Sequence, residues 1–110
     1  LLKSDDRPTA IFACNDLMAV GVMNACSKLG IEVPKNMSVV GFDNTILANI
    51  TQPKLTSVDL SMKEIGHRAA LELLDIIENN TRVRKKIIID TSLVVRESCG
   101  ECRIKNEEQI

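Results

Sequence analysis

The chain has 110 residues, 45% of them hydrophobic and 26% charged, with two aromatics, Phe12 and Phe42; that suits one modest core or a piece of a larger one, and excludes wholesale disorder. Fourteen basic residues against fifteen acidic ones leave a net charge of −1, without the basic excess of a free-standing nucleic-acid binder; with no Trp or Tyr, stacking platforms for bases or sugar rings are scarce. No apolar run approaches the ~20 residues of a membrane span, no secretion signal is visible, and Leu1 in place of Met points to a trimmed or truncated chain.

In chain order, apolar runs bounded by Gly, Pro and Asn alternate with helical periodicity, the pattern of an α/β protein. Thr9–Cys14 reads as a short strand buried on both faces of a parallel sheet. Asn15 and Asp16 end it and supply cap-type side chains for a helix reaching about Leu29, where Gly30 tolerates the positive φ of a helix stop. On that helix Met18, Val22, Ala25 and Leu29 form the stripe expected to face the sheet, while Val20 and Met23, flanking Gly21, face elsewhere. A helix apolar nearly all round is buried on more than one side; in so short a chain the second cover would come from another subunit or a missing segment.

Met37–Phe42 reads as a second buried strand ended by Asp43-Asn44, Ile46–Ile50 as a short helical turn, and Leu55–Leu60 as a third extended segment. Ser61 and Glu64 have the spacing of a capping box. The helix beyond carries Ile65, Ala69, Leu73 and Ile76 on one face, and Asn79-Asn80 stops it. Lys86–Asp90 and Leu93–Arg96 read as two late strands or one bent strand, with fraying expected from Cys99 onward.

In open parallel sheets, ligands bind at the carboxyl ends of the strands. Two strand ends here carry the polar pairs Asn15-Asp16 and Asp43-Asn44, side chains suited to recognising a polyhydroxylated small molecule. Caps and turn formers are the ordinary use of the same residues, and local sequence leaves both readings open. Cys14 and Cys26 lie in apolar stretches, as packed thiols do. Cys99 and Cys102 spell C-x-x-C before a polar tail; no second ligand pair completes a zinc site, and functionless tail thiols are the simpler reading. Reduced cysteines without a signal favour the cytoplasm. No nucleophile elbow or phosphate loop is present, and the lone His67 sits mid-helix, so neither catalysis, a metal nor a cofactor is expected.

The runs PTAIFACNDLMAVGVMNA (Pro8–Ala25), LGIEVPKNMSVVGFDN (Leu29–Asn44), PKLTSV (Pro53–Val58), EIG (Glu64–Gly66) and SLVVRES (Ser92–Ser98) together resemble the effector-binding core of the lactose/galactose-repressor (LacI/GalR) family. The resemblance implies a three-layer α/β/α, mainly parallel, periplasmic-binding-protein-like fold of two lobes with a small-molecule effector, a sugar or nucleoside, in the cleft. It also implies a homodimeric cytoplasmic transcription regulator that is not an enzyme. Operator DNA would be read through an N-terminal helix-turn-helix absent from this chain, and no membrane is involved.

By that resemblance residues 8–50 and 91–98 belong to the second lobe, 51–60 to a crossover and 61–90 to a first-lobe piece, leaving 99–110 as a flexible tail. Asn15 and Asp43 match effector-contacting positions, which favours the ligand reading for both, while Asp16 supports the loop and caps the helix. Met62 matches a wall residue, although a Met there departs from aromatic stacking on a sugar. Ala19, Val20, Met23, Leu47 and Ile50 match the dimer surface. One branch of the family binds a phosphorylated carrier protein through the late helix; Leu71 stands where that branch has a basic residue, so this partner is not implied. The rival readings are a transport-type periplasmic sugar-binding protein, which would carry a signal upstream and be monomeric, and a small α/β enzyme, which would need a nucleophile or phosphate loop.

Overall fold

The computed structural model describes residues 1–80 and 83–101. Strands β1 (Ala10–Phe12), β2 (Ser38–Phe42), β3 (Thr56–Asp59) and β4 (Ser92–Val94) form one sheet in the order β1-β2-β3-β4. The first three are parallel, with Phe12 opposite Val40 and Phe42 opposite Val58; β4 runs antiparallel to β3, with Leu93 opposite Val58. Helices α1 (Asp16–Lys28), α2 (Ile46–Ile50) and α3 (Met62–Asn79) follow β1, β2 and β3 in turn. Parallel neighbours require such crossovers, and the crossovers bring all three strand ends to one side of the sheet.

The core lies between α1, α2 and one face of the sheet: Ala19, Met23, Cys26, Met37, Val39, Ala48 and Leu55 are buried there. Burial pushes the Cys26 thiol up from its ordinary value, against a smaller opposing pull from Arg7. On the opposite face Phe12 and Phe42 meet edge to face at 6.2 Å. Phe12 is 63% exposed there, so β1 is an edge strand covered on one face, not a strand buried on both. Cys14, expected to pack as a small hydrophobe, is likewise exposed.

The rotation of α1 differs from the expected stripe. Its buried face is Asp16, Ala19, Met23 and Cys26, while Met18 and Leu29 are exposed. The spacing is helical either way; the phase is set by Asp16, whose carboxylate is drawn inward by three donors from Thr45 and Ser57. Ala19 and Met23, assigned to an intersubunit surface, are therefore core residues of this chain. Of the other three assigned to that surface, Val20 and Leu47 are half-buried and Ile50 is exposed.

The start of α3 also departs from its pattern. Ser61 is left-handed (φ 53°) and makes no side-chain cap bond. Its N–H donates to Asp59 Oδ1 at 2.8 Å, the role foreseen for Glu64, whose carboxylate instead accepts from Arg68 Nε at 2.8 Å. A capping box needs an extended cap residue, so the motif is present without its geometry. None of α3 is buried, and its expected inner face of Ile65, Ala69, Leu73 and Ile76 is exposed throughout.

Lys86–Asp90 forms no strand; of the late extended segments only Ser92–Val94 pairs. Past it the chain stays attached: Ser98 is fully buried, its hydroxyl donating to the Val39 carbonyl at 2.5 Å and accepting from Thr56 N–H at 2.8 Å. Gly100 N–H donates to Ser38 Oγ at 3.1 Å, so the tail does not begin at Cys99. Cys102, and with it the C-x-x-C spacing, lies outside the described residues.

Candidate functional site

The polar residues after β1, β2 and β3 converge because parallel strands end on the same side. Ala13 N–H extends the β1–β2 ladder to Val40 O at 2.8 Å, after which Asn15 turns extended (φ −156°) and caps α1. Its Oδ1 accepts from Met18 N–H at 2.8 Å, satisfying one of the helix's orphan donors. Among the described residues its side-chain amide donates to no protein group. The cap thus uses one end of the side chain and leaves the amide end without a protein partner among the described residues.

Asp16, beside it, is 1% exposed. Oδ2 accepts from Thr45 N–H at 2.6 Å and from Thr45 Oγ1 at 2.9 Å, and Oδ1 accepts from Ser57 Oγ at 2.6 Å. A buried carboxylate is tolerable only when so fully hydrogen-bonded. These bonds lace the loop after β1 to the loop after β2 and to β3 itself. Gly41 makes room for them: a Cβ there would collide with Asp16 Oδ1 and lie 2.9 Å from Leu55 Cδ2. Asp16 thus ties the loops together, while the cap of α1, which the resemblance also gave it, belongs to Asn15.

Asp43 and Asn44 follow β2 with φ of 94° and 50°. Two consecutive non-glycine residues in this region carry strain that surrounding bonds must offset. Asp43 N–H donates to Val58 O at 3.0 Å, prolonging the β2–β3 ladder. Its carboxylate is half-buried and accepts no hydrogen bond among the described residues. Asn44 is held at every polar atom of its side chain: Oδ1 accepts from Arg96 Nη2 at 2.7 Å, and Nδ2 donates to Asp59 Oδ2 at 3.1 Å. Its N–H donates to Ser57 Oγ at 3.1 Å. Arg96 also donates from Nη1 to Leu55 O at 2.7 Å. Met62, 61% exposed, opens α3 at the third strand end.

The structure therefore places Asn15, Asp43 and Met62 at three successive ends of one parallel sheet. The arrangement is an open polar shelf. Two concavities lie elsewhere: one near the starts of β1 and β2, lined by Arg7, Thr9, Ser38 and Gly100 among others, and one under the α1–β2 loop, lined by Gly30, Pro34 and Pro53 among others. Neither is lined by the three residues. No local pattern marks Thr45, Ser57 or Arg96 as parts of this framework. Their partners stand 13 to 52 residues away, beyond any local pattern; only the alternation of strand and helix hinted that such ends would meet.

Residues 1–99 match the family profile of the periplasmic binding protein-like domain. The chain belongs to this family. Within it the chain groups with the LacI-type regulators. Over 98 residues it is 40% identical to the HTH-type transcriptional repressor PurR of Mannheimia succiniciproducens, covering 89% of this chain and 29% of that protein. The solved structure of a putative transcriptional regulator LacI from Bacillus cereus subsp. cytotoxis superposes with a TM-score of 0.87 at 40% identity, over 94% of this chain and 36% of that one. A LacI family regulator from Enterococcus faecium with bound ribose gives 0.83 at 27% identity, over 90% and 37%. The chain thus spans under a third of the repressor's length.

Proposed function

We propose that this chain is the C-terminal part of the ligand-sensing domain of a DNA-binding transcriptional regulator that responds to a sugar or nucleoside-like effector. The observation that carries the reading is Asp43: a half-buried carboxylate with no hydrogen-bond partner among the described residues, held in left-handed backbone at the end of the strand next to the one that Asn15 follows. Fixed, unspent acceptors of this kind suit paired hydroxyl donors. The similarity to regulators, one of them solved with ribose, supports the same class. Asn15 offers its free amide, and Met62 supplies an apolar wall. An effector that favours one lobe arrangement would shift the population seen by the DNA-binding modules.

The test is titration calorimetry on the full-length regulator with D-ribose, D-glucose, cellobiose and adenosine as probes. Asp43→Ala is expected to weaken the binding probe by about tenfold or more, since hydrogen bonds to a charged group contribute roughly 1.5–3 kcal/mol. Wild-type affinity in that variant would overturn the site.

Self-association belongs to the same proposal. With Ala19 and Met23 in the core, the proposed homodimer surface rests on Val20, Leu47 and Ile50, beside the exposed Leu17 and Ile46. Ile50→Asp in the full-length protein is expected to lower the sedimentation coefficient towards the monomer value without lowering the melting temperature. A dimer that persists would remove this surface from the reading.

A further inference from the structure

We propose that Arg96, Asn44 and Asp59 form a positioning bridge that couples the ligand loop after β2 to the turn that launches α3, so that neither can move alone. Asp43, Asn44 and Ser61 all have positive φ, and none is glycine; each needs outside bonds to persist. One side chain serves both places. Asp59 accepts from Asn44 Nδ2 through Oδ2 at 3.1 Å and from Ser61 N–H through Oδ1 at 2.8 Å. Its two oxygens thus tie the left-handed loop to the left-handed turn.

Arg96 fixes the other end. Its guanidinium spans the Leu55 carbonyl and Asn44 Oδ1, both at 2.7 Å, while its own N–H donates to Thr56 Oγ1 at 2.9 Å. Being planar and two-pronged, it sets the amide plane of Asn44 as well as its position. An asparagine meets both demands at once, because it must accept from a cation on one side and donate to an anion on the other. A carboxylate would face Asp59 with a like charge, and a glycine would keep the backbone but lose both links. None of the three residues is needed to touch a ligand. Their effect on a ligand runs through Asp43, and that part of the inference rests on the function proposed above.

Hydrogen–deuterium exchange on the full-length protein without effector tests the bridge, comparing wild type with Asn44→Gly, Asp59→Asn and Arg96→Lys. Asn44→Gly removes the links without backbone strain. It is expected to speed exchange about tenfold in peptides covering both 43–45 and 60–63, with peptides covering 38–40 unchanged as the control for global loosening. Asp59→Asn, which keeps size but cannot accept from both donors in the same way, is expected to do the same. Arg96→Lys is expected to loosen 43–45 at least as much, because one ammonium cannot reproduce the fork. Loosening confined to the mutated segment, or wild-type exchange in Asn44→Gly, would overturn the coupling. Because no effector is used, failure of every probe in calorimetry would count against the proposed function and leave this outcome to decide the bridge.

Discussion

Helices α1 and α3 make an instructive pair. By pattern α3 is the more orderly, with Ile65, Ala69, Leu73 and Ile76 along one face and charged residues along the other, whereas α1 is apolar nearly all round. Yet α1 buries Asp16, Ala19, Met23 and Cys26, and α3 buries nothing. An apolar stripe records that a face is suited to cover; it does not carry the cover. For α1 the sheet is adjacent, because β1 feeds directly into it and β2 returns beside it. For α3 no element among the described residues lies against its stripe, and the face stays open.

The contrast can be broken most forcefully in the core. Leu55 is fully buried between α2 and the sheet, so Leu55→Ala is expected to cost about 2–5 kcal/mol from lost transfer energy and the cavity left behind. Chemical denaturation of the chain measures it, and a loss below about 1 kcal/mol would show that the compact half is not the tightly packed one. Leu73→Ala, the same truncation on α3, sharpens the comparison. Its side chain is already 58% exposed, so stability of this chain should change by less than about 0.5 kcal/mol. A cost matching that of Leu55 would mean that α3 packs in solution against something the contacts do not show.

The smallest effect belongs to the charges on α3. Lys85 bonds Glu72 Oε2 at 2.8 Å and Asp75 Oδ2 at 3.4 Å, all at the surface. The bond to Glu72, then that to Asp75, holds the Lys85 ammonium above its ordinary value; the Asn79 amide, then Lys85, holds the Asp75 carboxyl below its own. The acid's contribution is therefore present above the ordinary carboxylate value and lost as pH falls through its lowered one. The lysine's is present below the ordinary lysine value and lost as pH rises through its raised one. Lys85→Ala should thus lower helicity slightly near neutral pH, less at either extreme, and still less in high salt. Circular dichroism against pH reads this; a deficit that grows towards acid would contradict the assignment.

Much of the candidate site was legible because its parts are local. Asn15 reads as a cap and is one; Asp43-Asn44 reads as a strand stop, and both residues adopt the positive φ that such stops use. The capping box at Ser61 misled for an equally local reason. The motif specifies which side chains could bond, but Asp59, two residues earlier, reached the Ser61 N–H first. The fork of Arg96 on Asn44 left no trace in the pattern, since 52 residues separate them.

By itself the sequence determined the alternation of strands and helices, the breaks between them, and which polar residues stand at the strand ends, because caps, glycine stops and apolar runs act over a few residues. Only the tertiary structure decided how α1 is rotated, which of its apolar residues are core, that Ser98 is buried and that α3 is bare. Those outcomes depend on donors and cover supplied from distant parts of the chain, and a buried carboxylate such as Asp16 turns its helix towards its donors whatever the apolar stripe would favour.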